Sequence, residues 1–345
     1  MVRSESLTEF KSTVLDHLLG LLWRQWSAIG LSGYSSSEES KVVDPEALLL
    51  LTLTVARHDV RLFDEVLDWL DLNGAFLNVQ RLQHLIKQYD FQAKAELSAA
   101  AEWLGRKSNY AMKWKKLAST YINEPAQSLF YMKDGKAFPE PTNPEKTFSK
   151  HGLFRNPIES RGLSKPFPPE GMPSLLLRLR AFMGVNIRCE ILCLLGSVDE
   201  IHPSEVAKLI GHAPRTTQNA LAEMARSGVV QMRAHGREKS YALKPGALDK
   251  LMRPDGESTP WVNSAPLFRA LEILWLGVAD PKRQKMDDLL LSSELRRVAK
   301  SMKPLLGDAG WGQPLRDESA YKGEKYAKVF FEDVLGFLAH RRMSL

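Results

Sequence analysis

Apolar residues recur at helical spacing through most of this chain. In residues 6–29, Phe10, Val14, Leu18, Leu21, Leu22 and Trp26 fall on one face, the rhythm of an amphipathic helix. Gly30, Gly33 and the Ser-rich SGYSSSEES segment then break it. Asp44-Pro45 reads as a helix start, because proline fits the first turn; this helix runs to about Ala56. Residues 61–72 set Leu62, Phe63, Val66, Leu67 and Leu70 on one face and acids on the other, and Asn73-Gly74 ends them. Residues 78–88 and 92–105 read as two more helices, so the first part of the chain is expected to be helical with no strand. Towards the C-terminus, residues 261–278, 285–305 and 323–341 carry the same pattern. No repeat of fixed period occurs.

Between these stretches the pattern fails. Eight of the nineteen prolines lie in residues 132–173. Proline removes backbone donors and drives its predecessor out of the helical region. A linker or extended strap is expected there.

Residues 203–243 read PSEVAKLIGHAPRTTQNALAEMARSGVVQMRAHGREKSYAL. A short helix with Val206, Ala207, Leu209 and Ile210 inward meets a turn at Gly211, which needs no Cβ. A second helix runs from about Pro214 to Ser227 with Leu221, Met224 and Ala225 inward, and Gly228 stops it. Residues 229–233 and 239–243 then alternate as a hairpin about His235-Gly236. Two helices, at 174–183 and 186–195, precede this run. The order is that of a winged helix-turn-helix, which places one helix in the DNA major groove. The expected fold is mostly α and multi-domain: an N-terminal helical domain (1–131), a Pro-rich linker (132–173), a central winged helix-turn-helix with a small β-hairpin wing (174–253) and a C-terminal helical domain (254–345).

Chemistry follows from position. Arg215, Thr216, Gln218 and Asn219 face outward early on the second helix. Gln and Asn can pair bidentately with adenine, Arg with guanine, and Thr can meet a thymine methyl. Arg233, His235, Arg237 and Lys239 cluster about the hairpin tip, and with Lys208 they are candidates for the phosphate backbone. Residues 203–244 carry 7 Lys and Arg against 3 Asp and Glu. Charge is unevenly spread over the whole chain: residues 1–100 sum to −5, while the remaining residues carry the excess cations of a chain whose net charge is +6. That asymmetry is compatible with a polyanion on the later part, or with plain solvated surface.

The string LIGHAPRTTQNALAEMARSGVV resembles the helix-turn-helix of ArsR- and MarR-type bacterial regulators, through Gly211, Thr216, Leu221, Gly228 and Val230. NIRCEILCLL is similar to the preceding helix of the ArsR group. Ala213 departs from the pattern where a capping Ser is usual, and Thr217 where Val is usual. The resemblance covers about 80 residues and implies a sequence-specific, double-stranded-DNA-binding transcriptional regulator. A homodimer is expected from twofold operators, and the helical flanks suit dimerisation or signal input. The rival from another class is a protein-interaction scaffold, or an antitoxin-like partner of another protein, because the fold alone does not fix function.

Other candidates have bland readings. Arg106, Lys107, Lys113, Lys115 and Lys116, interleaved with Tyr110, Trp114 and Tyr121, could touch phosphate, or form a solvated helix face anchored by its aromatics. Cys189 and Cys193 lie four apart; two ligands do not complete a metal site, and a core role suffices. His212, in the turn, reads as a surface histidine within reach of phosphate. Asp64, Asp68 and Asp71 share one helix side and read as a solvent face rather than a divalent-metal site. No phosphate loop, nucleophile elbow or H-E-x-x-H occurs, so neither enzyme activity nor a cofactor is expected. Two cysteines, no secretory pattern and no apolar run of membrane length point to the cytoplasm.

Overall fold

A computed structural model describes residues 4–33, 41–107, 111–118, 121–159, 161–236, 238–252 and 261–340. The chain is mostly helical. Helix α1 (Ser4–Ala28) buries Phe10, Val14, Leu18, Leu22 and Trp26. In α2 (Pro45–Val55) every side chain is buried, and Asp44 caps its start by accepting from Ala47 N. Asp59 and Asn78 cap α3 (Val60–Asn73) and α4 (Val79–Tyr89) in the same way, each satisfying an amide that lacks a helical partner. Helices α5 (Lys94–Lys107) and α6 (Ala111–Ala118) follow.

The proline-rich stretch is anchored as a strap along the helical body. Strands β1 (Gln127–Ser128) and β2 (Leu153–Phe154) pair in parallel around α7 (Lys146–Lys150). Leu129, Phe130, Phe148 and Leu153 are buried in the main core. An extended chain without helical hydrogen bonds is held by these side chains and by Arg57, which donates to the carbonyls of Ser128 and Leu129.

Next come α8 (Leu175–Met183), α9 (Ile187–Leu195), α10 (Pro203–Ile210) and α11 (Pro214–Arg226). The hairpin of β3 (Val230–His235) and β4 (Glu238–Leu243) pairs Val230 with Leu243 and His235 with Glu238. Ile201 and Tyr241 exchange backbone hydrogen bonds of 3.0 and 2.9 Å, adding a one-residue third strand on the other side of β4. A second core unites α8–α11 with the hairpin. Beyond α12 (Asp249–Met252), the chain re-enters the first core with α13 (Ser264–Ala279), α14 (Asp288–Asp308) and α15 (Lys325–Leu338).

Two sequence expectations change here. The N- and C-terminal helical segments share one hydrophobic core instead of forming separate domains. Helix α13 lies on α2, Phe331 of α15 stacks on Phe10 at 4.1 Å, and Thr54 donates to Glu272 at 2.5 Å. Helices α2 and α13 are apolar on nearly all sides, so each must be covered all round; the C-terminal segment supplies part of the cover for α2. The stretch expected as a linker is a packed strap for the reason given above.

Candidate nucleic-acid interface

Helices α10 and α11 meet at Gly211, whose φ of 67° lies in the left-handed region. A Cβ there would come within 2.7 Å of Leu85 Cδ2 on α4, so the turn requires glycine on two counts. Thr217, Ala220, Leu221 and Met224 seat α11 on the core. Thr217 is fully buried, and its hydroxyl donates to Ala213 O at 3.1 Å, so the extra polar atom is satisfied. Ala213 supplies no side-chain cap. The amides of the first turn therefore have no side-chain acceptor, a place where a phosphate oxygen is favoured.

Arg215, Thr216, Gln218 and Asn219 are all exposed on the first two turns of α11. Of the backbone-contact candidates, Lys239 is exposed on β4. Arg233 is exposed and paired with Glu200 at 2.9 Å. Lys208 binds Asp308 of α14 at 2.7 Å, which ties α10 to the helical body. Exposed ion pairs are worth about 0–1 kcal/mol, so either cation can exchange its carboxylate for a phosphate at little cost. The backbone of His235 ends β3, its side chain lying outside the described set, and Arg237 lies outside the described residues. Arg188 on α9 pairs with Glu223 on α11, and Arg226 and Lys244 are exposed nearby. Helical spacing alone did not single out these three cations.

The feature that sequence reasoning missed lies beneath the turn. Arg81 on α4 grips Asp44 with two hydrogen bonds of 2.6 and 2.5 Å, meets Glu46 at 2.8 Å, and donates from Nε to Ile210 O at 2.8 Å. Arg180 on α8 donates to both oxygens of Glu46 (2.7 and 2.9 Å), to Glu190 on α9 (2.7 Å) and to Phe76 O (2.9 Å). Glu46, Arg180 and Glu190 are sealed from solvent, and Arg81 nearly so. Burial pushes the Glu190 carboxyl up, but Arg180, His212 and Arg81 together hold it far below the usual range. Burial also opposes ionisation of Asp44, and Arg81 reverses that. The visible signals were two acids, Asp44 and Glu46, at the head of DPEALLLLTLTVA and two arginines, Arg178 and Arg180, inside LLLRLRAF. Neither string says which charge meets which.

His212 is corrected by this network. Its side chain turns inward, only 14% exposed, with Nε2 3.7 Å from Glu190 Oε1. That is too long for a hydrogen bond. The acidic side of α3 is corrected as well. Asp64 binds Arg155 of the strap and Asp68 accepts from Gly162 N, while Glu65 and Asp68 are buried, so the strap covers what reads as a solvent face. In the basic–aromatic segment, Trp114 is buried, Lys113 donates to Ala75 O, Arg106 pairs with Glu102, and Lys115 and Lys116 are exposed. Tyr110 lies outside the described residues and Lys107 ends α5. Cys189 and Cys193 are buried and unbridged. Burial pushes the Cys189 thiol up to about 11 and that of Cys193 well above its ordinary value, the opposite of a reactive thiolate. Among the described residues no group of three or more His, Cys, Asp or Glu is placed to hold a metal, and no helix is long and apolar enough to cross a membrane.

Comparison with protein-family models, curated proteins and solved structures finds no match for this chain.

Proposed function

We propose that this protein is a sequence-specific DNA-binding regulator that reads duplex DNA with a winged helix-turn-helix. Helix α11 lies in the major groove, where Arg215, Thr216, Gln218 and Asn219 meet base edges. The β3–β4 wing, through Arg233, His235, Arg237 and Lys239, lies along the backbone. The observation that carries this reading is the exposure of all four polar residues on the first turns of α11, while Thr217, Ala220, Leu221 and Met224 hold the opposite side. The hairpin and the Ile201–Tyr241 bridge beside the helix corner add support, because helix, short strand, helix, helix, hairpin is the winged-helix order. Two copies would address a twofold operator.

A second reading has one observation in its favour. A groove between the last turns of α11 and the hairpin is lined by Ala225, Val230, Met232 and Tyr241 with Arg226 and Lys244, and Met232 is 47% exposed. Such a groove suits a protein partner, and since Lys239 also lines it, that partner and the DNA backbone would compete for the wing.

The test is selection of bound sequences from a random duplex pool, followed by titration of the selected site. Replacing Gln218 and Asn219 together by Ala should cost about 1–3 kcal/mol of discrimination per lost base contact, with binding to random duplex unchanged. Equal losses on selected and random DNA, or no enrichment at all, would refute base reading by α11.

A further inference from the structure

The two edges of the hairpin differ. On the β4 side, Tyr241 turns its N–H and C=O outward and exchanges both with Ile201, at 2.9 and 3.0 Å. Across the hairpin Tyr241 stands opposite Met232, and Lys239 opposite Ala234. Residues facing each other in an antiparallel ladder alternate between exchanging both hydrogen bonds and exchanging none. Because Tyr241 points its backbone groups away from β3, Met232 and Tyr241 are a pair that exchanges none, and Ala234 and Lys239, two places on, are another. The N–H and C=O groups of Met232 and Ala234 therefore point out of the free edge of β3. Among the described residues they meet no other hydrogen-bond partner. Met232 is 47% exposed and Ala234 is exposed, whereas Val230, at the inner end of the strand, is buried. A row of exposed backbone donors and acceptors is a template for a further strand.

The groove between α11 and the hairpin adjoins this edge. Ala222, Ala225 and Met232 give it an apolar floor, while Arg226, Lys239 and Lys244 line it with positive charge and no carboxylate. Side chains alternate between the faces of a strand, so Glu238 and the Arg233–Glu200 pair belong to the other face of the hairpin. Charge decides the occupant. Two β3 edges meeting across a twofold axis would set these cations against their own copies, and like charges so placed repel.

We propose that β3 accepts an extended acidic segment of a partner protein as an added strand. Its backbone pairs with Met232 and Ala234, and its groove-facing side chains place an apolar residue beside Met232 and carboxylates near the three cations. The proposal rests on the partner reading of this groove, to which it gives a binding mode and a chemistry, and it does not depend on DNA.

Fluorescence anisotropy of a labelled peptide, Thr-Glu-Thr-Val-Thr-Glu-Thr-Val-Thr, with the full chain and no DNA tests it. One face of that peptide alternates Glu and Val, and Thr fills the other. The peptide should saturate, and its counterpart with Lys for Glu should bind at least about tenfold more weakly. Ala234→Pro removes one outward N–H and leaves the β3–β4 ladder whole, since proline is tolerated where the amide faces off the sheet. It should weaken the acidic peptide at least about tenfold with Tm unchanged. Amide exchange read by NMR supplies the measurement on the unaltered chain. The amides of Met232 and Ala234 should exchange faster than those of Gln231 and Arg233, and bound peptide should slow them. No binding up to about 1 mM, equal binding of the Lys peptide, or undiminished binding by Ala234→Pro would overturn the proposal. Bound peptide that leaves the amides of Met232 and Ala234 fast would also overturn it, removing the added strand while keeping a partner in the groove. A free chain that dimerises with those amides already slow would assign the edge to a second copy, and likewise reject it. Should Ala234→Pro fail to fold, the peptide comparison and the exchange rates decide alone.

Discussion

Replacing Arg180 by Met tests whether the buried charges hold the two cores together. Methionine keeps much of the apolar stem and helix propensity of arginine. The guanidinium donates four hydrogen bonds, two to Glu46, one to Glu190 and one to Phe76 O. Without it, Glu46 retains Arg81 and the amide of Asn78. Glu190 keeps no hydrogen bond, only His212 at 3.7 Å and the more distant charge of Arg81, and its Oε2 already has no partner. Orphaning a sealed carboxylate costs about 3–5 kcal/mol, a large part of a domain's total stability. The pH dependence supplies a second readout. In the native protein the Glu190 carboxyl is held far below its ordinary value. Its contribution is therefore present above the unfolded value of about 4.3 and is lost only as pH falls through the depressed folded value. In the variant, burial acts with its main opponent gone, so the folded value rises above the unfolded one. The penalty is then present at neutral pH and is relieved as pH falls through that raised value. Urea unfolding followed by far-UV circular dichroism should show the gap between native and variant narrowing from about pH 7 to about pH 4.5. A gap below about 1 kcal/mol, or one that widens on acidification, would refute the assignment of stability to this network.

Gly211→Ala should cost about 1–2 kcal/mol from the left-handed backbone alone, with more from the 2.7 Å approach to Leu85; adding Leu85→Ala should relieve the clash but not the strain, which urea melts of the single and double variants check. Lys239→Ala should weaken binding to all duplexes and lower the slope of log K against log salt by about one unit; an unchanged slope removes the wing from the interface. Burial pushes His58 down to about 4 against the pull of its Met132 carbonyl contact. The unfolded chain therefore takes up the proton first, and stability should fall as pH drops from about 6.5 towards that value. His58→Gln should flatten that part of the profile, measured as Tm against pH.

Helices are where periodicity worked. The first pattern, 6–29, corresponds to α1 (Ser4–Ala28), and 323–341 to α15 (Lys325–Leu338). The corner at Gly211 and the hairpin after Gly228 were equally visible, because turns and caps are local chemistry. Partnership was not visible. Nothing in LLLLTLTV says that α13, more than two hundred residues on, covers it, since a hydrophobic face specifies burial and not its neighbour. The same limit hid the strap. Its prolines advertise an extended chain, while Phe130 and Phe148 pass as ordinary aromatics until the fold shows them in the core. At the candidate interface the outward residues could be read from a helical wheel. The pairing of Lys208 with Asp308, and of Arg81 with the carbonyl of Ile210, crosses about a hundred residues or more and has no local mark.

That last bond has a geometric corollary. The arginine that clasps the end of α10 belongs to the helical body, and Leu85 of the same helix fills the space above the glycine. The α10–α11 corner is thus tied to the helical body by a hydrogen bond and a packed side chain. If two such molecules grip one operator, the distance between their reading helices, and hence the number of base pairs separating the half-sites, is dictated by how body meets body.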